Sequence, residues 1–335
     1  MDAGRDGAWT IGASAFNWTP DVIRARREAT EIALDIVTDG ISTVIELEPG
    51  QLWRSFPETS EDEASALRIS LAAAGGTVSI VGASLDDWKS PTRRRTDDER
   101  LAFLVPQLRV ARALGARGVR LPIGQAGPTL TRQVLPHLRD LDLVLFEEAQ
   151  GGQTPGSAPF APAYDAIAEL DDPHVRLLID ISMLMPALPP TYLERLRAGG
   201  IPESLLRRLE DAWRDPATND AVLDLLRSGG VPGHIHTLYM NLLVRFGRSE
   251  VADIRDVLPL TAGFHFKFWD LDDSDLRVSA PIRELAAALA GTDFAGVITS
   301  EWGGHEWLDD DPATMTRDHI ALAHAALSAG IRAAT

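Results

Sequence analysis

Eight short apolar runs recur along the chain with helical segments between them, and this alternation restricts the fold more than any single motif does. The runs cover residues 8–16, 43–47, 77–84, 118–123, 143–147, 175–181, 263–268 and 296–301. They are short and continuously apolar, as parallel strands covered on both faces should be. Between them, residues 23–39, 61–74, 97–114, 131–138, 164–170, 281–290 and 315–329 carry apolar side chains at helical spacing. Gly75-Gly76 and Gly115 follow two of these segments, where helices stop. The expected fold is an α/β (β/α)8 TIM barrel in a single domain, residues 1–335. An open doubly wound sheet would need a Gly-rich phosphate turn after its first strand, and residues 8–20 contain no G-x-G-x-x-G.

One stretch does not fit a simple βα repeat. Residues 182–261 are too long for one crossover. They open on Pro186, Pro189 and Pro190 and carry helical patterns at 192–197, 202–213 and 219–227. Residues 234–244 suit either a helix or a short strand. The whole is expected to be a helical insertion after strand six, at or beside the catalytic face. The loop 150–162, rich in Gly, Pro, Ser and Ala, is expected to act as a mobile lid.

Composition narrows the chemistry. Hydrophobic residues make up 45% of the chain, enough for a sizeable core. A net charge of −17 argues against nucleic acid and anionic membrane as partners. There is no cysteine, so any metal must be held by nitrogen and oxygen ligands. Residues 1–10 show no secretory pattern and no run is long enough to span a membrane, so a cytoplasmic protein is expected.

Four apolar runs end on potential ligands: Leu143-Val144-Leu145-Phe146-Glu147, Leu177-Leu178-Ile179-Asp180, Gly263-Phe264-His265 and Val297-Ile298-Thr299-Ser300-Glu301. A buried charge costs several kcal/mol unless it is paired or bound to a metal. At the C-terminal ends of strands five to eight, Glu147, Asp180, His265 and Glu301 are expected to share one divalent cation. Three carboxylates and an imidazole suit Mn²⁺, Mg²⁺ or Co²⁺, with Zn²⁺ also accommodated. Glu148 adjoins Glu147; alternation sends the two to opposite faces, so only one of them is a ligand.

These four residues resemble the metal centre of the xylose-isomerase-like TIM-barrel superfamily of sugar isomerases and epimerases. Within it, Gly263-Phe264-His265-Phe266-Lys267-Phe268-Trp269-Asp270, Ser300-Glu301-Trp302-Gly303-Gly304 and the segment 180–199 with Tyr192-Leu193 resemble the α subunit of bacterial C-glycoside deglycosidases. The similarity covers most of 141–327 and fades toward the N-terminus. It implies a metal-dependent lyase acting on a 3-keto glycoside, with Mn²⁺ as the first choice of metal and a small β-subunit partner in a hetero-oligomer; a homo-oligomer is the other option. Oxidation at C3 makes the C2 proton acidic; a base removes it and the aglycone leaves from C1. The same proton abstraction beside a carbonyl would isomerise or epimerise a ketose, which is the alternative activity. A non-catalytic barrel subunit is a further alternative, although a scaffold has no reason to keep four ligands at strand ends. The relatives often carry a His two residues after the strand-five Glu, where this chain has Ala149.

Other residues join as candidates. Glu147 and Glu301 are candidate bases, Lys267 a candidate stabiliser of developing charge and His305 a candidate acid or base. Lys267 equally suits a salt bridge, and His305 a solvated loop. Gln125, Trp269, Trp302 and Trp307 are candidate sugar or aglycone contacts, the tryptophans equally suiting interhelical packing. Asn17, Trp18, Glu46 and Glu48 are weaker candidates at the ends of strands one and two. His234 and His236 are expected on the surface of the insertion or in a structural role.

Overall fold

The computed structural model describes residues 9–334; the start of the expected first strand at residue 8, and most of the segment 1–10, lie outside the described residues. Eight parallel strands close into a barrel: β1 (Ile11–Ser14), β2 (Val44–Leu47), β3 (Thr77–Gly82), β4 (Gly118–Pro122), β5 (Val144–Ala149), β6 (Val175–Asp180), β7 (Thr261–Phe268) and β8 (Val297–Trp302). Each pairs with its sequence neighbours, and β8 closes on β1 through Ile11 opposite Ile298. The outer helices that follow β1 to β5 are α1 (Ala29–Thr38), α2 (Glu61–Ala73), α3 (Asp97–Leu114), α4 (Gly127–Leu141) and α5 (Ala161–Leu170).

The sequence explains the local boundaries. Ser60 and Thr96 open α2 and α3 with reciprocal capping boxes to Glu63 and Glu99. Gly115 ends α3 in the left-handed conformation that glycine adopts without penalty. The single helix expected over 23–39 is instead two, Thr19–Ile23 and α1, with Ala25 at φ 50 between them. An exposed hairpin, Trp88–Ser90 with Arg93–Arg94, interrupts the loop after β3.

Between β6 and β7 the chain forms α6 (Pro190–Ala198), α7 (Glu203–Asp211), α8 (Pro216–Arg227) and α9 (His236–Val244), then a 3-10 stretch, Val251–Leu260, that enters β7. The ambiguous 234–244 segment is helical. These helices enclose their own apolar cluster, with Tyr192, Leu196, Leu206, Leu209, Tyr239 and Phe246 at its centre. α10 (Ser279–Leu289) and α11 (Pro312–Ala334) complete the ring.

Inside the barrel, Ile80, Phe146 and Leu178 form a fully buried plug packed against Val144, Ala262 and Val297. Side chains alternate along a strand, so the residues two positions beyond Phe146 and Leu178 also point inward, one layer higher. Those residues are Glu148 and Asp180. The plug is therefore the floor of a polar layer at the C-terminal end of the strands, where barrels of this kind build their sites.

Candidate metal centre and cavity

Glu148, Asp180, His265 and Glu301 each offer one ligand atom, and these atoms all lie within 4.8 Å of one another. All four residues are buried. They come from β5, β6, β7 and β8; register sets Asp180 opposite His265, and His265 opposite Thr299, two residues before Glu301. His265 Nδ1 lies 2.9 Å from Glu148 Oε1 and 2.7 Å from Glu301 Oε2, while its Nε2 lies 2.9 Å from Glu46 Oε2.

Three of the four expected ligands converge, and the strand-five ligand needs correction. Glu147 points to the opposite face of β5. Its Oε2 accepts the Gly124 backbone N–H at 2.6 Å, and it borders a separate cavity of about 220 Å³ between α4 and α5, beside Pro128, Ala163 and Ile167. Burial, partly opposed by the Gly124 hydrogen bond, pushes its pKa up to about 7. The physical reason is strand phase: Phe146 belongs to the inner plug, so Glu148 shares its face and Glu147 does not. Counted from Glu148, the position two residues on is Gln150 rather than Ala149, and Gln150 borders the site cavity.

Arg120 on β4 holds the acidic side together. Its Nε donates to Glu46 Oε1 at 2.9 Å, its Nη1 to Glu148 Oε2 at 2.6 Å, and its Nη2 to Glu48 Oε1. Burial alone would raise the Glu148 carboxyl, but Arg120 and His265 hold its pKa below the ordinary value. Glu46 follows the same balance, with His265 and Arg120 overcoming burial. Burial disfavours a charged imidazole, yet Glu46, Glu301 and Glu148 hold His265 well above its ordinary value. Lys267 Nζ donates to Glu301 Oε1 and lies 4.9 Å from the Phe16 ring centre. Burial and the Glu301 carboxylate outweigh the nearby Lys267 charge and raise Asp180.

The donor set fits a divalent cation. Asp180 Oδ1 accepts the Ser182 backbone N–H at 2.8 Å, but Oδ2 is buried and has no hydrogen-bond partner among the described residues. Glu301 Oε2 is buried and also lacks a hydrogen-bond partner, although it faces His265 Nδ1. An unpartnered Asp180 oxygen beside the ligand atoms of Glu148, His265 and Glu301 is expensive without a cation and natural with one. Oxygen ligands around an imidazole suit the hard and borderline divalent metals.

A cavity of about 470 Å³ opens above this group. Glu48, Arg120, Glu148, Lys267 and Glu301 border it, with Phe16, Gln51 and Phe56 on one side and Gln150, Val244 and Arg245 on another. The loop 150–162 and the helical segment thus reach the cavity through three residues only. The loop is tied down near its start: Gly151 N–H donates to Ser182 Oγ at 3.1 Å, and Tyr164 OH donates to the Gln153 carbonyl at 2.6 Å.

The remaining candidates separate. His305 is half-buried against Phe16 and Trp302, just behind the cavity wall, and burial with the Lys267 charge lowers its pKa to about 4. Gln125 does not reach the cavity; its amide donates to the Leu85 carbonyl at 3.3 Å outside the barrel. The three tryptophans also fall outside the cavity lining. Trp302 is fully buried, its indole N–H donating to the Trp269 carbonyl at 2.8 Å. Trp269 packs on Phe246, and Trp307 on Tyr192 with its N–H directed at Thr191 Oγ1. These rings join the helical segment to the barrel, and Phe16 and Phe56 supply the aromatic surface of the cavity instead. Asn17 is a structural tie between β8 and α11 through the Ser300 carbonyl, Trp302 N–H and Thr316 Oγ1, and Trp18 is buried beside it in the sequence. His234 and His236 are exposed. Arg120 was missed by sequence reasoning; its signal is an arginine inside an apolar strand, in phase with the inward face.

No family model matches the chain. It is 25% identical over 329 residues to a C-glycoside deglycosidase alpha subunit of Arthrobacter globiformis, covering 96% of this chain and 93% of that one. It is 24% identical over 320 residues to a 3'-dehydrocarminate deglycosidase alpha subunit of Microbacterium sp, covering 91% of each. Among solved structures, D-psicose 3-epimerase from Clostridium cellulolyticum H10 superposes with a TM-score of 0.58 at 11% identity, over 95% of this chain and 99% of that one. A 3-keto-D-glucoside 4-epimerase from E. coli gives a TM-score of 0.54 at 11% identity over the same shares. A xylose isomerase domain protein from Alicyclobacillus acidocaldarius gives 0.53 at 14% identity, over 96% and 99%. The fold is the xylose-isomerase-like (β/α)8 barrel. Among the described residues, no helix is long and apolar enough to cross a membrane.

Proposed function

We propose that this chain is a divalent-metal-dependent enzyme that removes a proton beside a ketone on a sugar, and that its reaction is C-deglycosylation of a 3-keto glycoside. The observation that carries this is the buried Glu148, Asp180, His265 and Glu301 group with an unpartnered Asp180 oxygen, opening into a cavity of about 470 Å³. The two relatives named above, deglycosidase alpha subunits matched over nearly their whole length, support the narrower reaction. Bound to these four residues, a divalent cation, Mn²⁺ as the first choice, supplies Lewis-acid stabilisation of charge developing on a carbonyl oxygen.

The chain's own residues account for the rest. Glu301 borders the cavity and takes the C2 proton, while Lys267 pairs with its Oε1 and offers positive charge to the sugar. Glu46 fixes the ring of His265 from behind through Nε2, a common arrangement around a ligating imidazole. Arg120 keeps Glu148 ionised and aimed. Gln150 can hydrogen-bond a substrate hydroxyl but cannot accept the proton. Because both relatives are alpha subunits, a smaller companion chain belongs to the proposal.

Ketose epimerisation is the second reading, favoured by the barrel match to D-psicose 3-epimerase. One experiment separates them. The protein, with and without Mn²⁺ and after chelation, is given a 3-keto C-glucoside and, separately, free ketoses. Metal-dependent aglycone release supports deglycosylation. Ketose epimerisation without aglycone release supports the second reading, and metal-independent turnover of either would refute both.

A further inference from the structure

The cavity contains one carboxyl that the metal group does not use. Of the charged residues bordering it, Glu148 and Glu301 belong to the four-residue group, Lys267 is paired with Glu301, and Arg245 is paired with Glu306 at 2.8 Å. Arg120 carries a permanent charge. Glu48 remains. It follows β2 directly, and its side chain is 23% accessible, open toward the cavity. One oxygen accepts from Arg120 Nη2, and the other lies against the backbone of Gly82, where an added Cβ would come within 2.1 Å of it. Gly50, Gln51 and Phe56 border the cavity just beyond Glu48, and Phe16 completes an aromatic wall near it.

We propose that Glu48 is the proton donor to the departing aglycone carbon, and that the Phe16 and Phe56 side of the cavity receives a flat aromatic aglycone. This rests on the deglycosylation assigned above. The balance is closed. A base removes the C2 proton, the C1–C2 double bond forms, and the bond from C1 to the aryl carbon breaks with its electron pair leaving on the aryl carbon. That carbon takes the Glu48 proton, giving an unsaturated keto sugar and a free arene with no change in overall oxidation state. Glu48 is left as a carboxylate against the Arg120 guanidinium, and the proton taken from C2 restores it through solvent.

The surroundings fit a carboxyl that holds its proton near neutrality. Burial raises the Glu48 pKa to about 7 despite Arg120, with Glu46, Glu301 and Glu148 adding repulsion. A carbon leaving group needs such a donor, because an aryl carbanion is too basic to depart unprotonated. A 4-nitrophenolate needs none. This difference supplies the test.

The full-length protein, loaded with Mn²⁺ and with its companion chain where one is required, is assayed as wild type and Glu48→Gln. The substrates are a 3-keto C-aryl glucoside and 4-nitrophenyl 3-keto-glucoside. Removal of a general acid costs roughly 100-fold or more. The expected result is a fall of that size in kcat/KM on the C-glycoside and a fall below about tenfold on the nitrophenyl substrate, with Mn²⁺ content retained. The decline of C-glycoside turnover above about pH 7 in the wild type should also disappear in the variant, since the acid responsible is gone. Equal losses on both substrates would overturn the proposal in favour of a positioning role, and full C-glycoside turnover by Glu48→Gln would overturn it outright. Either result leaves deglycosylation standing. A wild type that releases neither aglycone removes the deglycosylation proposal and this one with it.

Discussion

Replacing Arg120 with methionine should destabilise the metal-free protein by about 4 kcal/mol, since breaking a buried ion pair by removing one partner costs about 3–5 kcal/mol. The side chain keeps its length but loses the three charged hydrogen bonds to Glu46, Glu48 and Glu148. Glu46 is completely buried and the Glu148 side chain 5% exposed, so neither carboxylate, left with His265 as its remaining cationic partner, can recover hydration. The bond to Glu48 contributes less, because that side chain is 23% exposed. With 335 residues and an unfolding entropy of roughly 2.1 cal/mol/K per residue, the melting temperature should fall by about 6 °C. Circular dichroism melts of chelated protein at pH 8 read this directly. Acidification should narrow the gap. Arg120 lowers the pKa values of these carboxyls, so without it they titrate higher than in wild type, and the gap is present above those raised values and closes as pH falls through them. Added Mn²⁺ should recover part of the loss by returning positive charge beside Glu148. A variant melting within about 1 °C of wild type at pH 8, or a gap that widens in acid, would refute the view that one guanidinium organises the acidic layer.

Two further outcomes follow from the geometry. Glu148→Gln should lose bound Mn²⁺ on desalting while Glu147→Gln keeps it, measured by elemental analysis; the reverse pattern would mean that the strand phase is wrong. His319 is fully buried, stacks on Phe268 at 3.9 Å and titrates near 3 because burial disfavours its charged form. Its unfolded value is 6.5, so its neutral burial is fully compatible with folding above that pH and costs about 1.4 kcal/mol for each unit of acidification below it, down to about 3. Denaturant unfolding between pH 6.5 and 4.5 should therefore show a shallower loss in His319→Phe than in wild type, and identical slopes would exclude His319 as a contributor.

Asp180, His265 and Glu301 were legible because each is the first polar side chain able to ligate after an apolar run, and a strand end is where a barrel brings such groups together. Strand five was harder for a physical reason. Leu143-Val144-Leu145-Phe146 is apolar on both faces, because one face packs in the barrel and the other under the helices. Alternation that reports phase in a half-exposed strand is silent there, and only closure of the barrel decides between Glu147 and Glu148. Arg120 was hidden by its setting: three glutamates from β5 and the end of β2 make its burial tolerable, and none is near it in sequence. The tryptophans were misplaced because an aromatic residue after a strand can face either the cavity or a neighbouring element. The apolar cluster of α6 to α9, which claims Trp269 and Trp307, is a property of the folded segment as a whole.

The crossing of Gly151 and Gly247 has a consequence for the mouth of the cavity. Gly151 has φ +55, and a Cβ there would lie 2.3 Å from the Val244 carbonyl; a Cβ on Gly247 would lie 2.5 Å from the carbonyl of Gly151. Gly247 N–H also donates to the Ser182 carbonyl at 2.7 Å. The two segments meet main chain against main chain and each is tied to Ser182, so Gln150 on one and Val244 and Arg245 on the other form a single edge of the mouth. The short Pro49–Leu52 turn and Phe56 border the same mouth. A side chain at Gly151 or Gly247 would have to part the two segments, so the edge they form admits glycine alone at both positions.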